Sequence, residues 1–275
     1  MINVRSLLAV LAIFCTIGVC PAAEQFIILA STTSVEASGL LANILPQFTA
    51  KTGISVNVVA QGTGKALDTA RRGDADVLLV HDPEAEQQFM DEGHGSTLRQ
   101  IAWNDFVIVG PSTDPARVQG GRDSVAALRA IALAHAPFVS RGDKSGTNAA
   151  ELRLWKIAGQ APGTLSREKW YRDIGGGMGQ ALNAASAMDA YALTDRGTWL
   201  SFNNKGSLVV VVEGDPRLIN RYDVIELNPQ KRGDSKLAAA KVFADWLVSS
   251  EGQRAIGSYQ MNGQNLFNPP AGAAK

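Results

Sequence analysis

Residues 54–80 read ISVNVVAQGTGKALDTARRGDADVLLV, and this stretch decides the fold class. ISVNVVA (54–60) is rich in β-branched residues and stops at Gly-Thr-Gly (62–64), as a strand closed by a loop does. A helix is expected over 65–72. ADVLLV (75–80) then supplies a second strand, and its unbroken apolar VLLV implies burial on both faces. Strand, helix and strand following so closely argue for a parallel α/β sheet.

The alternation continues outward. Upstream, FIILAST (26–32) is a short apolar run that breaks into STTS (31–34). LLANILPQF (40–48) has apolar residues at helical spacing, with Pro46 expected near that helix's end. Downstream, DFVIVGP (105–111) and PFVS (137–140) read as strands, and helices are expected over 124–135 and 149–158. A glycine-rich run, IGGGMGQALNAAS (174–186), precedes DAYALTD (189–195). The last strands are LVVVVEG (208–214) and YDVIEL (222–227). A final helix over 236–256 carries Phe243, Trp246 and Leu247 on its apolar face. No Pro/Ser-rich linker divides the chain, so two lobes would have to be joined by ordered crossings.

The 275 residues are enough for one large domain or two medium ones. Twenty-six basic residues balance 26 acidic ones, with no Lys/Arg run longer than two, so a nucleic-acid binder is not expected. The first 23 residues have the layout of an export signal: MINVR, then the apolar SLLAVLAIFCTIGVC, then small residues, with cleavage expected after Ala22 or Ala23. The apolar run is short of the roughly 20 residues of a spanning helix. A lipid anchor on Cys20 is the alternative, although Val19 is bulky where such signals prefer a small residue. Cys15 and Cys20 both lie in this segment, so the mature protein would have no thiol nucleophile, disulfide or cysteine metal site, and is expected in the periplasm.

Three loops then raise the question of function. STTS, GTG and SRGDKSGT (140–147) each follow a strand and open a helix. Such loops lie at the carboxyl ends of strands, where ligands bind in α/β sheets. A helix start offers free N–H groups and the positive end of the dipole, Ser and Thr add hydroxyls, and Arg141 would add a full charge with a planar fork of donors. Each loop alone has a plainer reading as an N-cap, and Arg141 with Asp143 could be only a structural ion pair. Together they favour an anion site. GTGK fails the phosphate-loop pattern, with Val59 at its first glycine and Ala66 at its last position. The glycine-rich run fails G-x-G-x-x-G at Gln180. RGD (141–143) matches a cell-adhesion tripeptide, a reading that needs an exposed flexible tip. An enzyme finds little support: His81, His94 and His135 are scattered, and neither G-x-S-x-G nor H-E-x-x-H occurs. His81 could serve an exported hydrolase as a base, but a strand-end histidine more often makes structural hydrogen bonds. Asp74 and Asp76 flank a strand without evident partner ligands, so no cation site is expected.

The segments STTSVEASGLLANILPQF, QGTGKALDTARRGDADVLLVHDPEAE, WNDFVIVGP, FVSRGDKSGT, GGGMGQALNAAS, YALTDRGTW and VEGDPRLINRYDVIELNP resemble, in order and spacing, the tungstate-binding subunits of bacterial tungstate-selective ABC importers, the TupA family. The resemblance covers nearly the whole mature chain and implies a type II periplasmic binding protein, two α/β lobes joined by a two-crossing hinge. Lobe I would comprise 24–107 and 219–275, and lobe II 108–218. It implies oxyanion donors at Thr33, Ser34, Thr63, Gly64, Arg141, Ser145, Gly146 and Thr147, with further contacts from 177–179 or Tyr191. Ser31 stands where the family often has Thr, keeping a hydroxyl. The implied role is an exported solute-binding protein, not an enzyme and without a cofactor. It would capture tungstate and deliver it to a membrane permease; a monomer is expected, since lobes that must hinge gain little from a locked interface. Molybdate or phosphate is the alternative ligand. Phosphate-binding relatives carry a similar Arg, Asp and Ser-Gly-Thr loop, and the choice turns on whether Asp143 touches the ligand or orients Arg141. Orientation is the expectation.

Overall fold

The computed structural model describes residues 25–231, 236–261 and 263–270; the expected export signal lies outside them. The strands are β1 (Gln25–Thr32), β2 (Ile54–Gln61), β3 (Val77–Val80), β4 (Gly95–Pro111), β5 (Phe138–Ser140), β6 (Tyr171–Asp173), β7 (Tyr191–Asp195), β8 (Leu208–Val212), β9 (Ile219–Leu227), β10 (Gln260–Met261) and β11 (Gln264–Asn265). The helices are α1 (Thr33–Ala37), α2 (Leu40–Thr52), α3 (Thr63–Arg71), α4 (Pro83–Asp91), α5 (Ser124–Leu133), α6 (Gly146–Ile157), α7 (Pro162–Leu165), α8 (Met178–Met188), α9 (Arg196–Ser201), α10 (Lys236–Val248) and α11 (Ser250–Gly257). None is long and apolar enough to cross a membrane.

One strand order, β2-β1-β3-β9-β4-β7-β5-β6 with β8 beside β4, spans two lobes. The pivot is β4. Its first part, through Asp105, pairs with β9; from Phe106 it pairs with β7, and from Ile108 with β8. The chain returns from β8 through Pro216–Leu218, a 3-10 turn, into β9. Each lobe has its own double-sided core. In lobe I, Ile27, Leu29, Val77 and Leu79 face α2, α10 and α11, while Ala30, Leu78 and Val80 face α3 and α4. In lobe II, Ile108 and Phe138 face α5 and α6, while Val109 and Val139 face α8, and Phe106 and Val107 join these two cores from the crossing strand. This period of two follows from side chains alternating across a strand. All four residues of VLLV are fully buried, each contributing about 1.5–3 kcal/mol of apolar burial.

The expected parallel sheet is mixed. β1 is parallel to β2 and β3, and β5 to β6 and β7, whereas the pairs among β3, β9, β4, β7 and β8 that run through the crossings are antiparallel. A strand that passes between lobes and returns must meet its partner head to tail. Pro46 lies inside α2, not near its end. Both Pro46 and Ala42, whose carbonyl loses its amide partner, are exposed, so water can satisfy the break. The expected helix over 236–256 is two helices, divided where the Ser249 hydroxyl accepts from Gly252 N and caps α11. Strand β4 begins ten residues before DFVIVGP, because GSTLRQIAWN mixes polar and apolar residues on a strand only partly buried.

Candidate functional site

The three donor-rich loops meet where the lobes face each other, two on the sheet edge of lobe I and one on that of lobe II. In lobe I, β1 ends at Thr32, whose hydroxyl accepts from Val35 N at 3.1 Å and caps α1, so Thr33 and Ser34 occupy its first turn. The end of β2 leads to Gly62, which caps α3 without a side chain, and Thr63 and Gly64 follow. A side-chain cap is absent there, which leaves first-turn amides for a ligand. In lobe II, β5 ends at Ser140 and the loop bends through Gly142 and Lys144, both with positive φ. Ser145 then caps α6, whose first residues are Gly146 and Thr147. Asn148 ties this loop down, its carbonyl oxygen accepting from Lys144 N and its amide donating to Ser140 Oγ.

Arg141 is 5% exposed. Its Nη2 donates to Asp143 Oδ2 at 2.5 Å and its Nη1 approaches Thr147 Oγ1 at 3.5 Å, while Nε is buried without a partner among the described residues. Asp143 Oδ1 accepts from Ser145 N at 3.1 Å, so both carboxylate oxygens are engaged within the loop. Across the seam, Thr63 Oγ1 is also buried without a partner among the described residues. These two polar groups, one per lobe, belong to loops whose neighbouring residues line a cavity of about 400 Å³, formed by Thr33, Gly62, Gly64, Lys65, Asp68, Asp143, Lys144 and Ser145. An orphaned buried donor costs about 1–3 kcal/mol, which a ligand acceptor recovers.

Of the expected donors, Thr33, Gly64 and Ser145 line this cavity. Arg141, Thr63, Gly146 and Thr147 are buried at the seam, and Ser34 is half-buried on α1 outside the lining. Tyr191 lies elsewhere, at the start of β7, with its hydroxyl donating to Asp114 Oδ1 and accepting from Ala116 N. The glycine-rich run packs behind the Arg141 loop, Gly176 N donating to Arg141 O at 3.0 Å. The adhesion reading fails on burial, since Arg141 is not at an exposed tip. Lys65 and Lys144 were not singled out from the sequence; each follows a loop glycine by one or two positions, and a cation there was the available signal.

His81 makes the structural hydrogen bonds expected of a strand-end histidine. Asn220 Nδ2 donates to Asn104 Oδ1 and to Tyr222 OH, each at 2.8 Å, so Asn220 Oδ1 is free to accept from His81 Nδ1 at 3.1 Å. His81 Nε2 then accepts from the Thr32 hydroxyl at 3.0 Å, which fixes a neutral imidazole in one tautomer. Burial lowers the pKa of His81, and Arg141 lowers it further, against the opposing Asp195, Asn220 and Asp82. The ring faces α6 closely: a Cβ on Gly146 would stand 2.8 Å from His81 Cε1 and 3.4 Å from Thr63 Oγ1. The network thus joins β1, β3, β4 and β9 beneath the point where the lobes touch.

Comparison with known proteins places the chain in a family. Residues 21–251 match the family described as a PBP superfamily domain. The chain is 43% identical to the tungstate-binding protein TupA of Peptoclostridium acidaminophilum, over 90% of this chain and 87% of that one. Among solved structures, the tungstate-binding protein TupA from Desulfovibrio alaskensis superposes with a TM-score of 0.79 at 42% identity, covering 89% of this chain and 98% of that one. The tungstate ABC transporter structure from Geobacter sulfurreducens gives 0.76 at 40% identity, covering 86% and 100%. The chain belongs to the PBP superfamily and, within it, to the family of TupA tungstate-binding proteins.

Proposed function

We infer that this chain is an exported solute-binding protein that captures tungstate between its lobes and delivers it to an ABC importer permease. The observation that carries the reading is the pair of buried groups without a partner among the described residues, Arg141 Nε and Thr63 Oγ1, one from each lobe, on loops whose neighbouring residues line a cavity at helix starts. Tungstate at neutral pH is a dianion whose four oxygens only accept, and this site offers guanidinium, ammonium, hydroxyl and amide donors. Closure around it excludes water and strengthens each charge-assisted bond. The donors are Thr33, Ser34, Thr63, Gly64, Arg141, Ser145, Gly146 and Thr147, with Asp143 orienting Arg141. Lobe I comprises 24–107 and 219–275, and lobe II 108–218; the change of partner along β4 supports that division. The protein is a monomeric binder, not an enzyme, released into the periplasm by cleavage of 1–23, and its partner is the permease that reads the closed lobes.

Phosphate keeps a proton at neutral pH and needs an acceptor. Asp143 lines the cavity, yet both its oxygens already accept, from Arg141 and from Ser145 N. That engagement supports an orienting role for Asp143, which fits a fully deprotonated anion, tungstate or molybdate. The test is calorimetric titration of the anion-stripped mature protein with tungstate, molybdate, phosphate and sulfate. One tungstate per chain, poorly displaced by molybdate, is expected; preferential phosphate binding would overturn the assignment.

A further inference from the structure

Outside the anion cavity a second contact joins the lobes. Arg153 on α6 places Nη1 2.9 Å from Asp82 Oδ1 and Nε 3.8 Å from Glu84 Oε1. Helix α6 belongs to lobe II through Leu154 and Trp155, and Asp82 and Glu84 open α4, which packs on lobe I through Phe89. The ion pair therefore crosses between two bodies that are covalently joined only through the hinge. It is anchored on the lobe I side: the Asp82 carboxylate is 10% exposed, and Asp82 N donates to Glu86 Oε1 at 2.7 Å. A cleft of about 760 Å³ lies between α4 and α6, lined by Glu84, Ala85 and Gln88 on one side and Ala149, Leu152 and Arg153 on the other.

Arg153 is two turns along the helix that begins at Ser145, about 12 Å from that N-terminus along the axis. Helix α6 thus meets lobe I twice. Gly146 presses against His81 and Thr63, and Arg153 reaches Asp82, the next residue after His81. We propose that Arg153 is a positioning residue for anion capture, its pair with Asp82 forming as the lobes close and holding the α6 N-terminus over the cavity. An opening rotation separates Arg153 from Asp82, so the pair is a contact of the closed state alone. A contact that favours the state in which a ligand binds tightly raises apparent affinity without touching that ligand. The effect falls on release, because the anion escapes only when the lobes part. The inference rests on anion capture by lobe closure, as proposed above.

The test uses the mature protein with Arg153→Met, which keeps the aliphatic stem, and Asp82→Asn. Each is compared with wild type by calorimetry and rapid-mixing kinetics with tungstate. The expected result for Arg153→Met is an affinity about three- to tenfold weaker, in the range of a partly buried ion pair, expressed in the off-rate with the on-rate within about twofold. Asp82→Asn should act in the same direction, and the double variant should be no weaker than Arg153→Met. Unchanged off-rates in Arg153→Met, or fully additive losses in the double variant, would overturn the proposal. Molybdate, phosphate and sulfate are titrated in parallel, so a wild type that prefers one of them refutes the tungstate reading while the clamp is measured on that anion. If none of the four binds, the functional reading fails, and small-angle scattering of the anion-free proteins decides on the clamp. Wild type must then be more compact than Arg153→Met.

Discussion

Asp143 holds the Arg141 guanidinium through Nη2 at 2.5 Å and takes the Ser145 amide with its other oxygen. One carboxylate thereby orients the charged donor and the cap of α6 together. Replacing Arg141 by Ala should weaken tungstate binding at least tenfold and up to a few hundredfold, the range for losing a charge-assisted buried donor. Asp143→Asn should cost less, because an amide oxygen can still receive one of the two donors. Calorimetry separates the outcomes. Tighter tungstate binding in Asp143→Asn would mean that the carboxylate repels the ligand directly and that its orienting role is wrong.

Gly146→Ala is expected to uncouple binding from folding. Position 146 is the first residue of α6, where Ala is a better helix former than Gly, so lobe II alone loses nothing. The added Cβ would stand 2.8 Å from His81 Cε1 and 3.0 Å from its Nδ1, contacts that cross the seam between the lobes. The anion-free protein should melt at or above the wild-type temperature, while tungstate affinity falls at least tenfold. Equal affinity in the two proteins would show that the seam relaxes around a methyl group.

Much of this was legible in the sequence. VLLV announced a doubly buried strand, and Ser, Thr and Gly after successive strands announced three helix starts, because helix starts and strand ends are local features. Less legible were relations between distant segments. Nothing in GSTLRQIAWN indicates that it pairs with β9, more than a hundred residues away, and the antiparallel sense of the crossings follows from that pairing. His81 looked isolated for the same reason: its partners Thr32 and Asn220 lie 49 and 139 residues away. Arg153 sat unremarked on an expected helix, since its significance depends on the other lobe.

Glu151 makes a pH prediction. It is buried on α6, its Oε1 accepting from Tyr171 OH at 2.7 Å and Trp155 Nε1 at 3.2 Å. Burial pushes its pKa up to about 7, partly offset by the hydrogen bonds from Tyr171, Ser140 and Trp155. The folded value exceeds the unfolded one, so its contribution favours folding at low pH and is lost as pH rises from about 4.5 through about 7. At 1.36 kcal/mol per unit the loss is about 3 kcal/mol at most. Glu151→Gln keeps an accepting oxygen and carries no charge, so the stability difference between variant and wild type should grow from pH 5 to pH 8 in favour of Gln. A constant difference across that window in chemical denaturation would show that Glu151 does not ionise there.

Arg196 links the two crossings of the hinge. Its Nε and Nη2 donate to Asp105 Oδ1 and Oδ2 at 2.8 and 2.6 Å, and Nη2 also donates to Glu213 Oε2 at 2.7 Å. Asp105 is where β4 leaves β9, and Glu213 lies on the return from β8. Because Arg196 is 30% exposed, the link is partly screened, and Arg196→Met should cost about 1 kcal/mol of stability. Its sharper signature is local: amide exchange should quicken at the two crossings and stay unchanged in the cores of both lobes. Asp105→Asn should act on the same link, so the double variant should cost little more than Arg196→Met alone. Full additivity, or faster exchange spread through one lobe, would mean that Arg196 stabilises a lobe and not the hinge between them.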